Sequence, residues 1–526
     1  MRRLSLIALL LLCTLPVLAQ SNVRRNAEKI ASALYYIENH YVDTVDIDKA
    51  VDKVLADLMN GLDPHSSYIP QDQVQASNES LDGSFEGVGI EYVMIADTLT
   101  IQAVISGGPS EAVGLRPGDK IVTVDGEPVA GVKMPAEGIR QRLRGPKGSK
   151  VQVQVLREGQ LLDFVIRRDT IPIESIDAAY TPEPNIVYIR LSRFAQNSTM
   201  EFIDALRKLT QRRPEGMIID LRGNGGGFMH VAVFIANMFL EKDQVIVRTE
   251  GNGIDREDVA QGVEIYPEGP LVVLVDEDSA SASEILAGCL QDWDRAVIVG
   301  RRTFGKGLVQ QQYSLPDGSE IRLTVARYHT PSGRVVQSPY EQGHRNEYYQ
   351  QIAERYARGE SFSLDSISLP DSLKFKTLKL GRTVYGGGGI LPDVFVPFDT
   401  TGINLYFRRA VNSGLLAEFV YEYADKHRKE MEASSLDEFL EKWEPKLPAV
   451  YDEMIAYFTE KGLPLAEEAE MAACHARFMT RLKALLARRS LGMTAYWQVI
   501  NREEDPAFQE AMRIIKDWNG AFPDLP

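Results

Sequence analysis

The chain has 526 residues, with 58 Lys and Arg against 74 Asp and Glu, a net charge of −16 and hydrophobic residues at 44%. That length holds about three domains of roughly 150 residues, and that balance excludes a mainly disordered, collagen-like or disulfide-scaffold protein. The acidic surface repels nucleic acid and anionic lipid, and three cysteines (Cys13, Cys289 and Cys474) exclude a Cys-rich zinc site and allow at most one disulfide in a mature chain.

Arg2 and Arg3 precede an apolar run from Leu4 to Leu12, and Pro16-Val17-Leu18-Ala19-Gln20 offers a small residue at a cut. This is the layout of a secretory signal peptide over 1–19. The run is short for a membrane span, which takes roughly 20 apolar residues. Bulky Leu12 stands where lipidation of Cys13 wants a small residue. The mature chain is therefore expected to be exported and soluble, in the periplasm if the source is bacterial.

From Ala27 to Leu62 the apolar residues Ile30, Leu34, Ile37, Val51, Val54, Leu55 and Leu58 recur at helical spacing. Leu62-Asp63-Pro64-His65-Ser66 ends the helical region with turn chemistry. A glycine-rich stretch, Gly83 to Gly89, leads into a strand at Ile90-Glu91-Tyr92-Val93. To about Arg168 the text stays β-rich, with Lys120–Val124 and the strictly alternating Val151–Val155 as examples. From Ile186 strands alternate with helices: Ile186–Ile189, Met200–Leu209, Met217–Leu221, Val231–Leu240, Leu271–Val275, Ala282–Gln291 and Ala296–Val299. That grammar predicts a largely parallel sheet covered by helices. The polar run Gln342 to Leu378 has little period and reads as a long loop. From Thr401 the chain is helical, with stripes at Leu436, Phe439, Leu440 and Trp443 and at Tyr451, Met454, Ile455 and Phe458 that predict core contacts.

Three stretches carry chemistry. Val275-Asp276-Glu277-Asp278 leads into Ser279-Ala280-Ser281-Ala282-Ser283-Glu284 and a helix. Strand-to-helix turns are where α/β folds place reactive groups, and the amide after a Ser there can stabilise an oxyanion. The competing reading is helix capping by serine. Leu221-Arg222-Gly223-Asn224-Gly225-Gly226-Gly227 follows another buried strand, and its glycines let main-chain amides approach a ligand. Thr303-Phe304-Gly305-Lys306-Gly307 sets a lysine between glycines. Desolvation there would lower its pKa and supply a neutral amine as general base. If a strand runs from Val309 to Leu315, Lys306 and Gln310 share a face and the amide can orient the amine.

Two other arrangements compete. Gly300 to Lys306 nearly matches a P-loop, but Gly307 replaces the Ser or Thr and a strand follows instead of a helix. A Ser-His-Asp triad would draw on His230 and Asp220. No metal-binding histidine spacing is present.

Together the three stretches resemble the carboxyl-terminal processing, or tail-specific, serine proteases. The spacing of 25 residues between position 281 and Lys306 fits that family and selects Ser281 among the three serines. The likeness runs from about Tyr41 to Pro397 and includes Gly388-Gly389-Ile390-Leu391-Pro392-Asp393. The β-rich module resembles a PDZ domain: Phe85-Glu86-Gly87-Val88-Gly89-Ile90 matches its carboxylate-binding loop, and Pro109 to Asp119 its helix and following turn. Such loops capture a terminal carboxylate while the peptide adds a strand to a sheet edge.

The resemblance implies an α/β catalytic core of ClpP/crotonase type with an inserted PDZ domain, an N-terminal helical segment and a C-terminal helical extension. The expected limits are 20–80, 82–170, 171–400 and 401–526. It implies a serine endopeptidase with a Ser-Lys dyad. Ser281 is the nucleophile, Lys306 the base and Gln310 its positioner, while Ala282 and Gly226 donate to the oxyanion. Gly87, Val88, Gly89 and Ile90 would bind exported substrates' C-termini. No metal, nucleotide or other cofactor is implied. Partners are protein or peptide tails rather than nucleic acid. Membrane association would arise only from an uncleaved leader, and homo-oligomerisation is left open.

Overall fold

The computed structural model describes residues 22–95, 97–210 and 213–525. The expected leader, with Cys13, lies outside the described residues. No described helix is long and apolar enough to cross a membrane. The chain divides into two compact units.

Among the described residues, the smaller unit comprises 22–74, 310–324 and 340–347. The helical region expected from Ala27 to Leu62 is two helices, 22–40 and Ile47–Asn60, because Asp46 caps the second one through the Lys49 amide. Asp63 then folds the following motif into a tight turn, its Oδ1 accepting from the His65 and Ser66 amides at 2.8 and 2.9 Å. Ser67–Ile69 pairs antiparallel with Glu320–Arg322, and the Thr324 hydroxyl donates to Asp63 at 2.9 Å.

The larger unit begins with the β-rich module. Its sheet runs in the order Ile90–Ile95, Thr98–Val104, Lys120–Val124, Lys150–Arg157, Gln160–Arg167, so Ile90–Ile95 is an edge strand. Alternating Val151, Val153 and Val155 point into a core closed by Ile139 and Leu143 of helix Ala136–Leu143. Entry and exit strands Ser84–Gly87 and Asp169–Pro172 pair with each other and close the module at its root.

The next sheet has six strands, in the order Ile176–Glu183, Ile186–Leu191, Gly216–Asp220, Leu271–Val275, Val297–Gly300, Val394–Phe395. The first pair is antiparallel and the rest are parallel. The central strands are apolar without alternation because both faces are covered. Ile189, Ile219, Val273 and Ile298 face Phe202, Ile235 and Leu286 from the helices Ser198–Leu209, Met229–Ala236 and Ala282–Asp292. Ile218, Val272, Leu274, Val297 and Val299 face the opposite way, onto Phe508, Met512, Ile514 and Ile515 of Pro506–Lys516. Each such side chain contributes about 1.5–3 kcal/mol when fully buried. The far C-terminal segment is thus a layer of this sheet.

Between them, five helices (Leu405–Asn412, Leu415–Lys426, Leu436–Trp443, Leu447–Glu460 and Glu468–Leu491) enclose their own core around Phe439, Trp443, Met454, Phe458 and Phe478. The stretch read as a loop from Gln342 to Leu378 holds a helix, Arg345–Ala357. Its face is mainly polar, so hydrophobic periodicity did not reveal it. Cys289 and Cys474 are both buried and unpaired.

Candidate active site

The strand Leu271–Val275 delivers the chain into a turn that the next helix, Ala282–Asp292, picks up at Ser281. Ser281 has φ +56° and ψ −113°. A non-glycine residue held there stores about 1–3 kcal/mol of strain, which the surroundings must over-determine. They do so through the two flanking serines. The Ser279 hydroxyl donates to Leu221 O at 2.9 Å and the Ser283 hydroxyl to Asn224 O at 2.8 Å. The Ala280 amide also donates to Asn224 O. Ser279 and Ser283 are fully buried and committed to main chain, whereas Ser281 is part-exposed. The Ala282 amide sits in the first turn of the helix, where anions are favoured.

A buried carboxylate ties this turn to the lysine segment. Glu284 is inaccessible to solvent. Its Oε1 accepts from the Thr303 hydroxyl at 2.5 Å and the Gly305 amide at 2.8 Å. Its Oε2 accepts from the Lys306 amide at 2.8 Å and the Ser281 amide at 2.9 Å. Burial pushes the Glu284 carboxyl up to about 7, against the pull of these four donors. The Tyr328 hydroxyl lies against the main-chain oxygens of both segments, 2.6 Å from Lys306 O and 3.1 Å from Ser281 O. Arg355, from the helix that sequence periodicity missed, donates to the carbonyls of Arg302, Thr303 and Phe304 at 3.0–3.2 Å. Lys306 itself is half-buried, and the strand expected after it runs from Leu308 to Ser314.

The glycine loop packs against Ser281. A methyl group on Gly226, whose φ is +99°, would lie 2.8 Å from the Ser281 Cβ, 3.0 Å from the Ala282 nitrogen and 2.7 Å from Ala280 O. Only glycine fits there. Its amide, however, donates to Asn224 Oδ1 at 2.9 Å. Gly226 therefore supplies close approach, and the oxyanion donor expected from its N–H is already engaged.

The triad alternative does not assemble. Asp220 is inaccessible and holds Tyr188, Arg190 and Arg222 at 2.6–3.0 Å. Despite burial, the two arginines hold its carboxyl well below the usual range. His230 is exposed and packs its ring against Phe228 and Phe234.

Gln310 belongs to the smaller unit, where its amide lies 3.4 Å from the Thr324 hydroxyl. In the β-rich module Gly87 ends the entry strand opposite Asp169, Val88 is buried, and Ile90 opens the edge strand. Gly89 has φ +73° and is hemmed by Ile171 and Pro109. The Ser110 hydroxyl donates to Val88 O at 2.6 Å and fixes the loop on the following helix.

Glu284, Tyr328 and Arg355 were not singled out in the sequence. Glu284 had a legible signal, since Ser-x-x-Glu before an apolar helix is the capping-box pattern. Tyr328 and Arg355 are distant in sequence from the segments they hold and carried no such signal. Among the described residues, no group of three or more His, Cys, Asp or Glu side chains is placed to hold a metal ion.

Comparison with known proteins places these features in context. A peptidase family S41 model matches residues 185–341, a PDZ domain model matches 87–167, and a family of unknown function, DUF8443, matches 406–492. The carboxy-terminal processing protease CtpB of Bacillus subtilis is 35% identical over 61% of this chain and 68% of its own. The carboxy-terminal-processing protease of Bartonella bacilliformis is 33% identical over 60% of this chain and 74% of its own. Among solved structures, a photosystem II D1 C-terminal processing protease covers 69% of this chain and 85% of its own, at 28% identity and TM-score 0.36.

Proposed function

The chain belongs to peptidase family S41, the carboxy-terminal processing serine proteases with a PDZ domain, and we propose that it cleaves exported proteins from or near their C-termini by a Ser281–Lys306 dyad. The observation that carries this reading is Glu284, whose carboxylate accepts from the main-chain amides of both dyad residues. One buried group thereby fixes the candidate nucleophile and the candidate base in a common frame.

The chemistry is acyl transfer. Ser281 Oγ attacks the scissile carbonyl while neutral Lys306 takes its proton. The tetrahedral intermediate collapses as Lys306 returns that proton to the leaving amine, and water then releases the acyl-enzyme by the same base. The Ala282 amide and an amide of the glycine loop next to Gly226 stabilise the oxyanion, each at about 3 kcal/mol. Gln310 is assigned by family resemblance to orienting Lys306. No cofactor enters the scheme.

The loop Gly87, Val88, Gly89 and Ile90 captures the substrate's terminal carboxylate, and the tail adds to the edge strand Ile90–Ile95. Support comes from that strand's edge position in the sheet. Export follows from the leader-like sequence of 1–19. The functional modules are 20–80, 82–170, 171–400 and 401–526, with the last contributing its end to the sheet of the third. The test is cleavage of one protein carrying a nonpolar C-terminal tail with a free or an amidated terminus. Faster cleavage of the free carboxylate that disappears in Ser281→Ala supports the reading. Equal rates for the two termini would refute tail capture by the loop.

A further inference from the structure

We propose that Asp505 is a positioning residue of the peptidase site, acting from the C-terminal segment through Arg222 on the glycine loop; this rests on the reading of Ser281 as nucleophile and of that loop as its oxyanion donor.

Asp505 lies 283 residues beyond Arg222 in sequence. It caps the helix Pro506–Lys516, its Oδ1 accepting from the Phe508 amide at 3.0 Å. The same carboxylate takes a two-pronged pair from Arg222, 2.8 Å to Oδ1 and 2.6 Å to Oδ2. Asp505 is 7% exposed, so the pair is largely desolvated. Two-pronged Arg–carboxylate pairs fix geometry as well as energy.

Arg222 opens the glycine loop. Its other donors go to Asp220, at the end of the strand Gly216–Asp220, and its carbonyl accepts from Arg190 at 2.7 Å. Arg190 in turn lies over the Trp497 ring, 3.9 Å from its centroid. Trp497 belongs to Met493–Glu503, the helix preceding Asp505. The C-terminal segment therefore grips both arginines, one by charge and one by an aromatic face. Arg190 and Arg222 face Asp220 and Asp505, with Asp177 a further carboxylate 3.8 Å from Arg190. Loss of Asp505 leaves the largely buried Arg222 with one carboxylate partner, Asp220, in place of two, and frees the donors that had held it to the C-terminal segment.

From there the coupling reaches the nucleophile through main chain. Asn224 O holds the Ala280 amide and the Ser283 hydroxyl, and Gly226 sits against Ser281. A shift at Arg222 misplaces the loop relative to Ser281 without touching the tail-binding module.

The experiment compares wild type, Asp505→Asn, Asp505→Glu and Ser281→Ala. Asn keeps the size and the oxygen that caps the helix, but replaces one acceptor by a donor facing Arg222. Active-site titration with a fluorophosphonate counts competent sites, and kcat is expressed per titrated site. The expected result is a fall in kcat per site of about 10- to 100-fold, the scale of a misplacement near 1 Å. KM and tail-peptide affinity stay within about twofold, and Asp505→Glu recovers part of the loss, since a carboxylate is restored. A purely structural role would lower the number of titrated sites and leave kcat per site unchanged, which would overturn the proposal. Wild-type turnover in Ser281→Ala would instead overturn the underlying nucleophile assignment. If Asp505→Asn does not fold, Trp497→Leu carries the test: a loss of about threefold or more per site supports the coupling, and an unchanged value overturns it.

Discussion

Replacing Glu284 by glutamine tests whether one buried carboxylate holds the site together. The carboxylate offers two oxygens to four donors: Thr303 and Gly305 at one, Lys306 and Ser281 at the other. Glutamine keeps the volume but offers one oxygen and one NH2. If its oxygen stays with the Ser281 and Lys306 amides, the Thr303 hydroxyl can turn to accept, and the Gly305 amide is left facing a donor. If the amide group is reversed, both the Ser281 and the Lys306 amides are orphaned. The first arrangement is cheaper; it takes the acceptor from the Gly305 N–H and the Thr303 O–H and loses charge-assisted strength, about 2–4 kcal/mol. The displaced lysine segment then loses alignment with Ser281, with kcat falling about 100-fold. Peptide cleavage gives kcat, thermal denaturation gives stability, and tail-peptide binding controls for the PDZ domain. Activity within threefold of wild type at an unchanged melting temperature would refute the clamp.

The same carboxyl makes a pH prediction. Its folded value, about 7, stands above its ordinary value of 4.5. A raised folded pKa means the folded state binds more protons between the two values. The contribution of Glu284 to stability is therefore full below about 4.5 and is lost as the pH rises through about 7; Glu284→Gln removes this slope, as urea titrations across that window will show. Gly226→Ala places a methyl within 3.0 Å of three atoms of the Ser281 turn and is expected to lower kcat/KM by about 100-fold, measured by peptide cleavage, while a tail peptide still binds. Tyr328→Phe removes the hydroxyl lying between Lys306 O and Ser281 O and costs about 1–3 kcal/mol, seen as a lower melting temperature with a drop in kcat.

The elements that sequence showed best are those with one dominant signal. The sheet strands at Ile186, Met217 and Leu271 are continuous apolar runs because helices cover both faces. The segments around Ser281, Gly226 and Lys306 stood out because glycine and serine there answer to steric demands that few other residues meet, and the structure packs them together. What escaped was long-range. Nothing in the polar helix Arg345–Ala357 announces that Arg355 reaches three carbonyls of the lysine segment. The helical character of the chain from Thr401 was legible, but not that Pro506–Lys516 near its end lies on the sheet of the peptidase core. The bond between Asn224 and the Gly226 amide depends on a side-chain rotation that spacing does not encode. For Gly226, close approach was readable and donation was not.

The most direct measurement is turnover of a protein with a nonpolar C-terminal tail by wild type, Ser281→Ala and Lys306→Ala, with folding checked by thermal denaturation. Both substitutions are expected to abolish cleavage in folded protein while tail binding persists. Equal turnover in all three would contradict the Ser-Lys assignment.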